Sequence, residues 1–172
     1  MFFEGKEDGR WTGWHPTGQK AFEGTYSKGN RTGRWTFTHA NGRLASSGMY
    51  VNGVRDGVWK GVHPDGRPHF EEHYRDGQQD GPALEWHLNG AKKAEGRYRY
   101  GQKDGIWREW YANEKQAYEG AYRDGQKDGR WREWYEDGRE KFDGSYRNGQ
   151  KDGACREWDA NGTMRMATYR DG

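Results

Sequence analysis

Glycines at positions 9, 33, 57, 81, 105, 129 and 153 stand 24 residues apart without an insertion, and five of them open a Gly-x-Trp triplet ending at Trp11, Trp35, Trp59, Trp107 and Trp131. A period between roughly 20 and 50 residues marks a chain of like units, each too small to bury its own rings and each stacked on its neighbours. Residues 1–172 therefore read as a single array of seven units starting near 2, 26, 50, 74, 98, 122 and 146. The function of such an array belongs on an extended surface, not in an enclosed pocket.

Two turn signals punctuate each unit. The first is a glycine pair four apart, as in Gly125 and Gly129, preceded by Asp124 and Asp128; the second is the dipeptide Asn41-Gly42, Asp65-Gly66, Asn89-Gly90, Asp137-Gly138 or Asn161-Gly162. Asn-Gly and Asp-Gly favour the positive φ values of a type I′ hairpin turn. The segments between turns are rich in Trp, Tyr and Phe and too short for ordinary helices, so each unit is expected to be a β-hairpin. The fold class is all-β: an elongated, single-layer antiparallel meander of seven 24-residue hairpins. At about 4.8 Å between strands it predicts a twisted ribbon about 65–70 Å long. Leu, Ile, Val and Phe number only 14 of 172, a level associated with disorder. Disorder also needs a large net charge, whereas here the charge is +2 and ten Trp and eleven Tyr recur in register.

Alternation along a strand places Trp131, Glu133 and Tyr135 on one face and Arg132 and Trp134 on the other. On the returning strand Gly24, Gly48, Gly96, Gly120 and Gly144 sit between aromatic or other core positions and leave room for a neighbouring Trp to lie over the backbone; Glu72 breaks the series. Trp14, Trp86, Trp110, Trp134 and Trp158 fall on the face opposite Trp11, Trp107 and Trp131. Trp and Arg are enriched in protein-binding hot spots. Trp86, Trp110, Trp134 and Trp158, with Arg108, Arg132 and Arg156, are therefore the candidate partner-binding residues; the competing reading is that these rings only cover a thin sheet.

Other chemistries are disfavoured by the same periodicity. His15, His39, His63 and His87 form a ladder continued by Tyr111, Tyr135 and Asp159, but equivalent positions lie about 10 Å apart, too far to share one zinc. These histidines read as semi-polar residues interchangeable with Tyr. Glu85, Glu109, Glu133 and Glu157, and Glu71, Glu95, Glu119 and Asp143, recur in several units, unlike the single irregular constellation of an active site. Arg75, Arg99, Arg123 and Arg147, four residues after the second set, are expected to pair with it. Each Asp-Gly loop, such as Asp56, Asp80, Asp104, Asp128 and Asp152, offers one carboxylate where calcium needs six to eight oxygens. Cys155 occupies the Trp slot and reads as a small core substitute. Interleaved charges give no basic stripe for nucleic acid, and no phosphate-binding glycine motif is present. No metal, cofactor or catalytic set is expected, so the chain reads as a non-enzyme. The absence of a long apolar run or secretion signal gives cytoplasmic localisation as the expectation.

The frame Tyr-x-x-Gly-x-x-x-Gly-x-Trp-x-x-Trp-Tyr-x-x-Gly, seen from Tyr98 to Tyr111 and from Tyr122 to Gly138, resembles the MORN-repeat superfamily, and more closely the longer bacterial variant of YwqK-family antitoxins. The resemblance implies an antiparallel sheet of consecutive hairpins that binds proteins, or in some members membranes, and no catalytic residues. It points to a non-enzymatic protein-binding module, in a bacterial setting an antitoxin, immunity protein or regulatory scaffold whose partner is a toxin, an enzyme or a neighbouring domain. The alternative is an aromatic-rich repeat that binds cell-wall carbohydrate, choline or membrane lipid. The sequence departs from the frame at Gly81-Pro82-Ala83, which loses the Trp; at Asn113-Glu114, which loses the glycine; and in the last unit, one residue short, which ends on Tyr169. Units three and four are thus the place for a kink or a specialised surface. Met1-Phe2 opens on the Tyr slot and Asp171-Gly172 ends in the matching turn, so edge-to-edge association or a longer array is also expected.

Overall fold

The computed structural model describes residues 2–170. Among them the chain forms strands and turns and no helix. The strands are β1 (Phe2–Phe3), β2 (Lys6–Glu7), β3 (Gly9–Trp14), β4 (Lys20–Ser27), β5 (Asn30–Thr38), β6 (Leu44–Val51), β7 (Val54–Val62) and β8 (Pro68–Arg75). They continue as β9 (Gln78–Trp86), β10 (Lys92–Arg99), β11 (Gln102–Trp110), β12 (Gln116–Arg123), β13 (Gln126–Trp134), β14 (Glu140–Arg147), β15 (Gln150–Trp158) and β16 (Met164–Tyr169). β1 and β2 make a small sheet of their own, and β3 to β16 make a 14-stranded antiparallel meander in chain order. The all-β hairpin architecture read from the sequence is what the molecule adopts. Contacts divide it into two compact units, Met1–Gly81 and Pro82–Gly172. The expected turn at Asp171-Gly172 and the start at Met1 lie outside the described residues.

The turn chemistry differs from the expectation. Type I′ turns, with positive φ at both central residues, occur at Lys28-Gly29, Asn52-Gly53, Asp76-Gly77, Tyr100-Gly101, Asp124-Gly125 and Asn148-Gly149. The Asn-Gly and Asp-Gly dipeptides of the second series form another turn. At 135–139 the Gly138 N–H donates to the Tyr135 carbonyl at 2.8 Å and the Tyr135 N–H to the Arg139 carbonyl at 2.8 Å, while only Gly138 is left-handed. This is a type I turn closed by a glycine bulge. Asp137 does not take positive φ; its carboxylate accepts the Arg139 N–H at 2.9 Å. Glu114, standing where glycine is usual, adopts φ 65 in the equivalent place.

The 24-residue glycine series marks bulges inside the outgoing strands. Glu95 opposes Arg108 and Arg97 opposes Asp104, so two steps on β10 face four on β11, with Gly105 at φ 72 between them. A side chain at Gly105 would meet open space, so glycine serves the backbone there, whereas a Cβ at Gly96 would fall inside the Trp107 indole. One glycine supplies φ and the other supplies room. The bulge aims Trp107 at the opposing strand, where its indole N–H donates to the Arg97 carbonyl at 3.0 Å; Trp35 and Trp59 bond the Thr25 and Met49 carbonyls at 3.2 and 3.1 Å.

Each unit has its own ring core. In the first, Trp35 and Trp59 are 0% exposed and pack with Tyr50, Phe22, Tyr26, Phe37, Phe70 and Tyr74. In the second, Trp107 packs with Ala83, Ala94 and Tyr98, and Trp131 with Phe142, Cys155 and Tyr146. Tyr and Trp alternate edge to face: Tyr26–Trp35 at 5.1 Å and Tyr50–Trp59 at 5.1 Å, then Tyr98–Trp107 at 4.9 Å and Tyr122–Trp131 at 5.2 Å. Such a pair contributes about 0.5–1.5 kcal/mol beyond its buried area. Cys155, fully enclosed, takes the Trp slot with its thiol 3.9 Å from the Ser145 carbonyl.

Candidate interaction faces

On the ring-bearing face, the residue five positions after Tyr26, Tyr50, Tyr98, Tyr122 and Tyr146 carries a cation over the rings, while Gln79, five after Tyr74, instead donates to Glu72. Arg31 lies 4.5 Å from the Trp35 ring centroid and Arg55 4.3 Å from that of Trp59; Lys103 lies 4.1 Å from Trp107 and Lys127 3.9 Å from Trp131. The signal of this row in the sequence, not read above, is the 24-residue recurrence of Arg31, Arg55, Lys103, Lys127 and Lys151. In the first unit the guanidiniums donate to phenols, Arg31 to Tyr50 at 3.2 Å and Arg55 to Tyr74 at 3.0 Å. Burial alone would lower the Arg31 pKa, but its bonds to Tyr26 and Tyr50 outweigh that and raise it.

In the second unit the cations meet carboxylates. Lys103 pairs with Glu109 at 3.4 Å, Lys127 with Glu133 at 3.2 Å, and Lys151 with Glu157. Burial pushes the Glu133 carboxyl up, yet the Trp131 indole, donating at 2.8 Å, and Lys127 together hold it below its ordinary value. Tyr118 donates to Glu109, and burial followed by that carboxylate pushes the phenol well above its ordinary range. A hollow of about 290 Å³ opens among these groups, lined by Tyr118, Tyr122, Lys127, Trp131 and Glu133 and bordered by Trp134.

The opposite face of the second unit is a cross-strand charge ladder. In register Arg108 stands between Glu95 and Glu119, Arg132 between Glu119 and Asp143, and Arg156 beside Asp143. Arg108 bonds Glu119 at 2.7 Å and Glu95 at 3.3 Å, and Arg132 approaches Asp143 at 3.7 Å. The expected pairing of Arg75, Arg123 and Arg147 with acids four residues earlier is not made. Four residues along a strand span about 13 Å, and these arginines instead reach Asp80, Asp128 and Asp152 across their hairpin turns, at 3.7, 3.0 and 2.8 Å.

Of the seven sequence candidates, Trp86, Trp110, Trp134 and Trp158 are half-buried, as is Arg108, while Arg132 and Arg156 are exposed. Trp110 stands beside Lys92, whose ammonium is 5.4 Å from its ring centroid and 2.7 Å from Glu95, and borders a hollow of about 450 Å³ with Gly90, Ala91, Lys92 and Glu114. The structure thus gathers Trp110 with Arg108 and the acid ladder. The Trp134 and Trp158 carbonyls accept bonds from the Tyr111 and Tyr135 hydroxyls of the preceding repeat, at 2.9 and 2.7 Å.

Those tyrosines occupy the histidine ladder. His15 Nε2 lies 2.8 Å from the Thr38 carbonyl, His39 Nε2 2.7 Å from that of Val62, and His87 Nε2 2.7 Å from that of Trp110. A carbonyl only accepts, so Nε2 carries the proton and donates. His and Tyr exchange at this position because both extend a donor to the next repeat. Among the described residues no group of three or more His, Cys, Asp or Glu is arranged to hold a metal ion, and no helix is long and apolar enough to cross a membrane.

None of the curated proteins matches the chain. The sequence profile of the MORN repeat variant matches residues 7–28, the span that runs from β2 through β3 and β4.

Proposed function

We propose that the chain is a non-enzymatic protein-binding module of the MORN type, acting in the cytoplasm as a bacterial antitoxin, immunity protein or regulatory scaffold of the YwqK kind. The observation that carries the reading is the division between faces. One face spends its rings and cations on packing, while the other presents half-buried Trp110 beside Lys92, with exposed Arg132 and Arg156 in a continuous charged row. Trp and Arg flanked by paired charges supply apolar area and register to a protein surface. The repeated chemistry supports a binding surface over a catalytic centre, because every charged pair recurs from strand to strand.

The carbohydrate, choline or lipid alternative is less well supported. A quaternary ammonium needs open ring faces, and the best rings already carry Arg31, Arg55, Lys103 and Lys127. The test is quantitative affinity capture from the native source with the natural chain and with Arg108→Ala/Arg132→Ala/Arg156→Ala. A protein retained by the first and lost by the second is expected. Equal retention, or fluorescence changes on adding choline, oligosaccharide or anionic vesicles with no protein retained, would overturn the reading.

A further inference from the structure

Five repeats carry an acid at one position of the returning strand: Glu23, Glu71, Glu95, Glu119 and Asp143; the second carries Ser47, and the shortened last repeat sets Met166 opposite Arg156. Elsewhere this acid neutralises neighbouring cations. Glu23 pairs with Arg10, and Asp143 with Arg130 at 3.4 Å. Arg34 is the counterpart of Arg10 and Arg130 and stands exposed next to Ser47, without its acid. Lys60 lies opposite Ser47 in register and pairs on its other side with Glu71 at 2.9 Å. Arg34, Ser47, Gly48, Met49, Val58 and Lys60 line a hollow of about 220 Å³.

Beside this gap the chain concentrates its aliphatic residues. All four valines of the sequence fall between positions 51 and 62. Val51 and Val54 face each other across the β6–β7 turn. Met49, Val51, Val54 and Val58 are 43%, 46%, 42% and 39% exposed. Most other repeats place Arg at the Val51 position and Gln at the Val54 position, as at Arg123 and Gln126, and three place Arg at that of Val58, as at Arg130. An exposed aliphatic cluster in so polar a chain marks an interaction site.

We propose that this patch of the first unit docks a protein segment that sets an aspartate or glutamate between Arg34 and Lys60 and an aliphatic side chain against Met49 and Val58. The missing acid fixes the occupant: the charge pairing that the five acid-bearing repeats make internally is completed here by the partner. The proposal rests on the reading of the chain as a protein-binding module and places a second surface apart from the Arg108–Arg156 row.

The test is selection of a displayed random-peptide library on the natural chain, followed by affinity measurement on that chain and on Ser47→Glu, Arg34→Ala and Arg132→Ala. Enriched peptides are expected to place Asp or Glu within a residue or two of Leu, Ile, Val or Met. Their affinity is expected to fall about tenfold or more on Ser47→Glu and Arg34→Ala and to be unchanged on Arg132→Ala. Ser47→Glu restores the pattern of the other repeats, and a thermal melt no lower than that of the natural chain shows that it folds; Arg34→Ala gives the same answer without adding a charge. Peptides lost on Arg132→Ala but retained on Ser47→Glu would overturn this site while leaving the protein-binding reading in place. Enrichment of nothing would overturn both. Co-sedimentation with anionic vesicles, or a dimer in sedimentation velocity, that Ser47→Glu abolishes would assign the patch to lipid or to a second copy and overturn the proposal.

Discussion

The two compact units share one hairpin frame and neutralise charge in opposite ways. In Met1–Gly81 the ring-face cations are arginines that donate to Tyr50 and Tyr74, and the position two after each Trp is Phe37 or Gly61. In Pro82–Gly172 they are lysines answered by Glu109, Glu133 and Glu157. On the other face the second unit pairs Arg108 with Glu95 and Glu119 and Arg132 with Asp143, whereas the first leaves Arg34 without an acid at Ser47. The rings fix the fold, and the charges around them are free to specialise each unit.

Substitutions at matched positions in the two units would sharpen this contrast. The largest effect should be common to both: Gly24→Ala and Gly96→Ala each drive a Cβ into the indole of Trp35 or Trp107. Each should cost about 1–3 kcal/mol in urea unfolding, and a loss confined to one unit would mean that the frame is not shared. Removing a ring-face cation should separate them. Lys127→Met leaves the partly buried Glu133 carboxylate with the Trp131 indole and the more distant Lys141 and should cost about 1 kcal/mol, while Arg55→Met leaves a phenol that can turn to water and should cost less.

Acid should act in the same direction. Glu133 has its folded pKa below its unfolded value, so its contribution is full above the unfolded value of 4.5 and is lost as pH falls through the folded one. The fluorotryptophan signal from Trp131 should therefore report loosening at higher pH than those from Trp35 and Trp59; simultaneous loss would contradict the distinction. The smallest effect is expected at the gap, where Ser47 is buried and Ser47→Glu should change stability by no more than about 1 kcal/mol in low salt.

The period, the strands and the ring core were legible because each is written in residue type. Trp over Gly is a statement about volume, and the His-to-Tyr exchange is legible once both are seen as donors. Glu72 and Ala83 break the pattern together, one losing the small residue and the other, eleven positions on, losing the large one. What alternation alone could not supply was register. The extra residues around Gly105 decide that Glu95 opposes Arg108, and without them the acids match arginines four residues along their own strand. Turn type failed for a related reason, since Asn-Gly fits both a two-residue I′ turn and the longer bulged turn, and the hydrogen bonds from Tyr135 to Arg139 select the second. The cation row went unread because a lysine over an indole looks, in sequence, like any solvated charge.

The division of labour between faces is tested most directly by urea unfolding of Trp107→Ala and Trp110→Ala, two tryptophans three residues apart on β11. Trp107 is 3% exposed under the rings of its unit, and Trp110 is half-buried on the other face. The first substitution should cost about 3–5 kcal/mol and the second about 1 kcal/mol. Equal losses would mean that both rows of tryptophan hold the fold, leaving no ring free for a partner.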